Sequence, residues 1–210
     1  MPETEPCHWY AIKVFFNKVF EMEALPSTLP DTETFLPADE VQLKGAAHSQ
    51  ARRHIAVAES EGRTDNRYIQ QGPVIFLRVP MVTSLLFIRT PASLLPEVEK
   101  RLVTKDLLGK RGFLYKSADR QSYAVIPDAQ MASFRLVVSQ GSQGLDFFSA
   151  QDITRFRQGN RVRVKEGPLK GAEGYIKRIR KDRRLLVGID GVVAVATAFI
   201  PPDLLEIVGE

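Results

Sequence analysis

The sequence predicts an α/β domain built on a mainly antiparallel sheet, followed by a small all-β barrel. Three observations carry this. Through residue 148, strand-like runs alternate with helix-period patterns joined by short connections. A polar, aperiodic stretch at residues 149–158 then interrupts every hydrophobic period and reads as a linker. Beyond it, five short apolar runs separated by glycine- and charge-bearing turns crowd into about 50 residues, with no helix-length pattern among them. The expected layout is therefore a first domain over 7–148, a linker over 149–158 and a second domain over 159–210.

Residues 9–16 are aromatic and β-branched and open the first domain as a strand. Tyr10, Ile12, Val14 and Phe16 share one wholly apolar side, expected to face the core. Trp9, Ala11, Lys13 and Phe15 share the other. Lys13 must reach water there, which makes Trp9 and Phe15 candidates for a partly exposed apolar surface. Asn17 is placed to cap a short helix that Pro26 ends, with Val19, Phe20 and Met22 turned inward. A second strand is expected at 34–36, and the Ala-, Gln-, Glu- and Arg-rich segment 44–63 reads as a helix of moderate amphipathicity.

Strands are expected at 74–79 and 85–89. Thr90-Pro91 then reads as an N-cap followed by a first-turn proline. Leu94, Leu95, Val98 and Leu102 recur at helical spacing, so this helix docks one face on a sheet. Residues 123–126 form another strand, and Pro127-Asp128 opens a helix with a stripe of Met131, Phe134 and Val138. Residues 145–148 are expected to close the first sheet. The runs of the second domain are 161–164, 174–179, 185–189, 192–199 and 204–208.

At 210 residues the chain is long enough to bury a sizeable core. No apolar stretch approaches the roughly 20 residues a membrane span requires. The best run, 79–88, is broken by Pro80, Thr83 and Ser84. The acidic, polar start is unlike a signal peptide, and the single Cys7 permits no intrachain disulfide, so a reducing cytoplasm is expected; the chain is separately expected to be a monomer. Net charge is a mild +4, but residues 159–210 hold ten basic against seven acidic side chains. That bias suits a polyanionic neighbour and equally a solvated surface.

The sharpest local signal runs from Gly159 to Gly174. Val162 and Val164 point to one side of a strand, while Arg161, Arg163 and Lys165 point to the other. Gly167-Pro168 turns the chain, and Gly171 and Gly174 supply the positive φ or close approach a tight corner needs. This segment resembles the KOW motif, which transcription elongation factors share with several ribosomal proteins. His8 to Val14, Glu33 to Pro37 and Pro80 to Arg89 resemble, in the same order, the strands of the NusG N-terminal (NGN) domain. Thr83-Ser84-Leu85 stands where that family carries Pro-Gly-Tyr. With the downstream Val125 to Met131, the chain is similar to specialised, UpxY-like paralogues of the Bacteroides type. Residues 44–67 look like an insertion beyond the common pattern.

The resemblance implies an NGN sandwich joined to an SH3-like KOW barrel, and an antitermination or elongation factor without catalysis or cofactor. By position, Trp9, Phe15, Val82, Leu85 and Phe87 would line an apolar cleft for the clamp helices of RNA polymerase. Lys18, Arg52, Arg53, Arg63 and Arg67 are the basic candidates for the non-template DNA strand or nascent leader RNA. A solvated helix face explains Arg52 and Arg53 equally well. Partner binding by the KOW domain, to a ribosomal protein, would fall on Leu169, Ala172 and Ile189. The aromatics expected there are absent and Asp190 is a poor apolar anchor, which argues against the termination factor Rho. The basic run from Lys177 to Arg184 reads as a charged hairpin open to RNA contact. Two alternatives remain: a general NusG-type factor assisting termination, and a ribosome- or RNA-binding KOW protein without polymerase contact.

Catalytic and metal readings find no motif. His8, His48, His54 and Cys7 lack ligand spacing; on one helix, His48 and His54 would diverge by about 120°. No phosphate loop, dinucleotide glycine pattern or nucleophile elbow is present.

Overall fold

The computed structural model describes residues 5–24, 26–103, 109, 111–149, 160–179 and 182–208. The chain forms two compact units. One holds residues up to Cys7 together with Ile12–Leu114, and the other holds His8–Ala11 together with Tyr115 onward. The mixed α/β class holds, and every recorded strand register is antiparallel.

The strands β1 (Cys7–Val14, of which His8–Ala11 count with the second unit), β2 (Glu33–Phe35), β6 (Leu85–Pro91) and β7 (Gly112–Leu114) form a sheet in the order β2-β6-β1-β7. Ile12 pairs with Leu114, and Thr34 with Ile88. As an interior strand, β6 buries Leu85, Leu86, Phe87 and Ile88 in succession, on both of its faces. The helix α1 (Val19–Ala24) lies on β6, and Pro26 begins a single 3-10 turn beyond it. Asn17, expected to cap α1, instead sits in a left-handed turn with Phe16, at φ 53° and 58°. Phe16 was expected inside. The strand ends at Val14, so the period-two alternation stops before reaching it, and Phe16 is 61% exposed.

The segment between β2 and β6 builds its own layer. Strands β3 (Ala38–Gln42), β4 (Tyr68–Gln71) and β5 (Val74–Pro80) pair in the order β3-β5-β4, and α2 (Gly45–Ser60) packs on β5. The helix buries only Ala51 and Ala58, in keeping with its moderate amphipathicity. Its His54 Nδ1 lies 2.9 Å from Tyr68 Oη. Arg78 of β5 reaches α1: its guanidinium donates to both Glu23 carboxylate oxygens, at 2.7 and 2.9 Å, and lies 5.5 Å from the Phe20 ring centroid. The strand β6 runs through Thr90 and Pro91, so the expected cap is displaced. The helix α3 (Leu95–Leu102) begins later, with Pro96 in its first turn, and buries Leu95, Val98 and Leu102 as expected.

The second unit carries a six-stranded sheet in the order β13-β9-β10-β11-β12-β8. Its strands are β8 (Asp146–Ser149), β9 (Arg161–Val164), β10 (Glu173–Ile179), β11 (Asp182–Ile189), β12 (Val193–Phe199) and β13 (Leu205–Ile207). The sheet is open, with β13 and β8 as its edges. Residues 145–148, expected to close the first sheet, pair here instead: Phe147 lies opposite Val195 and Phe148 opposite Ala194. The reason is apolar company, since Phe148 packs on Leu186, Ala194 and Ala196. The helix α4 (Asp128–Val138) buries Met131, Phe134 and Val138 as expected, and packs on β11. Ser133 Oγ accepts the Glu173 N–H at 3.1 Å. Gln130 donates to Asp190 Oδ2 at 3.1 Å and accepts the Asp190 N–H at 3.3 Å. The strand expected at 123–126 reduces to isolated bridges, Lys116 with Tyr123 and Trp9 with Ile126.

The glycine reading of the motif holds at residue level. Gly171 has φ 89°, and an added Cβ at Gly174 would overlap the backbone carbonyl of Leu186. Val162 and Val164 are buried while Arg161 and Arg163 are exposed. Gly159 lies outside the described residues, as do Arg180 and Lys181 of the basic hairpin.

Candidate nucleic-acid interface

A groove of about 740 Å³ runs along α1 and the 63–67 loop. Three of the five predicted nucleic-acid residues, Lys18, Arg63 and Arg67, line it, and Arg111 joins them. Against these four cations stand two lining carboxylates, Glu21 and Asp65. At one side of the groove stands Phe16, held outward by its left-handed backbone. Such a φ is unusual for a bulky residue and marks a place where conformation is imposed rather than relaxed. Phe16 meets Phe15 edge-on, with ring centroids 6.2 Å apart, and Phe15 in turn meets Phe113 at 5.8 Å.

The cations are held, not quenched. Arg67 forks onto Asp65, with Nε donating to Oδ1 at 2.8 Å and Nη2 to Oδ2 at 2.6 Å, and it lies 5.5 Å from the Tyr68 ring centroid. That hydrogen bond holds the Asp65 carboxyl below its ordinary range against the opposing effect of burial, and raises the Arg67 guanidinium. Lys18 and Arg111 share Glu21, at 2.6 and 3.1 Å, and Arg63 meets Glu61 at 2.6 Å. The exposed Lys18–Glu21 and Arg63–Glu61 pairs contribute only about 0–1 kcal/mol each, so exchanging their carboxylates for a phosphate costs little, whereas Asp65, at 7% exposure, holds Arg67 in place. The arrangement can seat a phosphate chain with an unstacked base against Phe16.

The other candidates separate. Arg52 and Arg53 are exposed on α2 and do not line the groove. Trp9, Leu85 and Phe87, expected to open a helix-accepting cleft, are instead core residues at 5%, 3% and 0% exposure. The cause is local. Phe87 packs on Phe35, at 6.1 Å between centroids, inside a strand covered on both faces, and Trp9 lies beneath the Arg135 guanidinium at 5.4 Å. Only Phe15 and Val82 of that set keep part of their surface. In the second unit Ala172 and Ile189 are fully buried, leaving Leu169 alone half-exposed, so these three do not form a partner surface. Of the groove residues that build the interface, sequence reasoning missed Arg111 and Phe16. For Phe16 the signal was the adjacent Asn17, a residue that tolerates left-handed backbone.

His48 Nε2 lies 2.9 Å from the Pro73 carbonyl oxygen, so it and His54 serve contacts within the insertion layer. Among the described residues no group of three or more His, Cys, Asp or Glu is placed to hold a metal, and no helix is long and apolar enough to cross a membrane. No protein-family model matches the chain, and no curated protein matches it.

Proposed function

We propose that this protein is a transcription elongation factor of the NusG type that promotes processive, antiterminated transcription, with a polysaccharide-synthesis operon as its expected target. The observation that carries the reading is the groove that gathers Lys18, Arg63, Arg67 and Arg111 beside the exposed ring of Phe16. Guanidinium groups secure phosphates without reading sequence, while an aromatic face stacks an unpaired base. Single-stranded DNA displaced at a transcribing polymerase, or nascent leader RNA, supplies both features. The glycine geometry of residues 167–174 supports the KOW part of the reading.

Polymerase contact passes in this reading from the buried trio to Phe15, Phe16 and Phe113, an aromatic cluster with exposed surface at the end of β1 and β7. A factor that binds the elongating polymerase better than the paused one shifts the population toward elongation. Co-elution with purified bacterial RNA polymerase tests the assignment. The intact chain is expected to co-elute and the Phe16→Asp variant to be lost; retention of that variant at wild-type stoichiometry removes the cluster from the interface.

A further inference from the structure

We propose a second binding site, independent of the first. The β9–β10–β11–β13 face of the C-terminal sheet takes an acidic peptide with aliphatic side chains. The pairing registers place Val162 opposite Gly174 and Ile207, Ile176 opposite Leu185, and Arg178 opposite Arg183. Alternation therefore puts Val162, Ile176, Arg178, Arg183 and Ile207 on one face. A cavity of about 440 Å³ opens there over Val162, Ile176, Ile200, Leu205 and Ile207, with Arg183 on its rim. Val162 and Ile200 form a floor at 5% and 8% exposure, while Ile207 at the mouth is 71% exposed.

Two features select the occupant. The first is charge. Arg178 and Arg183 are exposed, face each other across the hairpin, and form no ion pair among the described residues. Like charges directly opposite destabilise a strand pair, and a carboxylate between them reverses that cost. The neighbouring Arg161 and Arg163 need no such partner, since Glu173 lies at 2.7 and 2.5 Å from them. Glu206, the one carboxylate among the described residues that line the cavity, is turned to Arg163 at 3.5 Å. The second feature is the floor. Among the described residues no aromatic side chain lines this cavity, so its lining offers an aliphatic group a place to bury rather than a ring for a nucleobase to stack on. The outer side of β13, an edge strand, leaves backbone groups for an added peptide strand.

Fluorescence anisotropy with the full chain tests this, using a labelled Glu-Ile-Asp-Leu-Glu-Ile-Asp peptide, the same peptide with lysine for each acid, and a single-stranded RNA. The acidic peptide is expected to bind saturably and the lysine peptide not at all. Arg178→Gln and Arg183→Gln are each expected to weaken binding about three- to fivefold, and Ile207→Ser about tenfold. All three positions are exposed, so unchanged melting of the variants separates lost binding from lost folding. Equal binding of the lysine peptide overturns the proposal. So does indifference to both arginine variants, or binding of the RNA where the acidic peptide fails.

Discussion

At Phe16 the backbone carries a left-handed φ that costs a bulky residue about 1–2 kcal/mol, while 61% of the residue remains in water. Packing does not account for this conformation, and base stacking is the use proposed for it. Phe16→Gly is expected to melt at or above the wild-type temperature while weakening single-stranded DNA binding, with calorimetry and anisotropy as the two readouts. Gly174 makes the opposite case. A methyl group there meets the Leu186 carbonyl in the sheet itself, so Gly174→Ala should cost about 1–3 kcal/mol in urea denaturation. Asp65 adds a pH dependence. Its folded pKa is depressed by Arg67, so its contribution is present above the ordinary aspartate range and is lost as pH falls through the lowered value. Melting curves of wild type and Asp65→Asn should differ near neutral pH and converge in acid.

Among elements, the Arg78–Glu23 pair ties the insertion layer to α1. Both side chains are largely buried, at 17% and 9%, and the guanidinium also donates to the Asn66 carbonyl at 2.9 Å. Breaking it by Arg78→Ala strands a carboxylate away from water and should cost about 3 kcal/mol in chemical denaturation. The periodic elements were legible in the sequence. The helix α4 buries all three side chains its spacing named, and α3 three of four, Leu94 falling half-buried in the 3-10 turn ahead of it. Strands β3, β4 and β7 were not legible. The first is acidic and largely exposed, while the others are three or four residues long, too short for alternation to register. The fate of Leu85 and Phe87 was written in the run Leu-Leu-Phe-Ile: four consecutive apolar residues mean a strand covered on both faces, which leaves no face for a partner.

For the whole molecule, the sequence conveyed the mixed α/β class but not which strands would pair. Residues 146–149 join β12 because Phe148 finds Leu186 and Ala194 there, a long-range choice that no local period encodes. Part of the site could be read as residue type and position: Lys18, Arg63 and Arg67 converge, whereas Arg52 and Arg53 share their composition but not their place. The central claim is that this convergence serves a transcribing polymerase. Purified transcription through an intrinsic terminator, on a template carrying the cognate leader, tests it most directly. The account predicts increased readthrough with the intact protein and a return to the basal level with Arg63→Ala/Arg67→Ala; readthrough unchanged by the protein, or undiminished in the double variant, would contradict it.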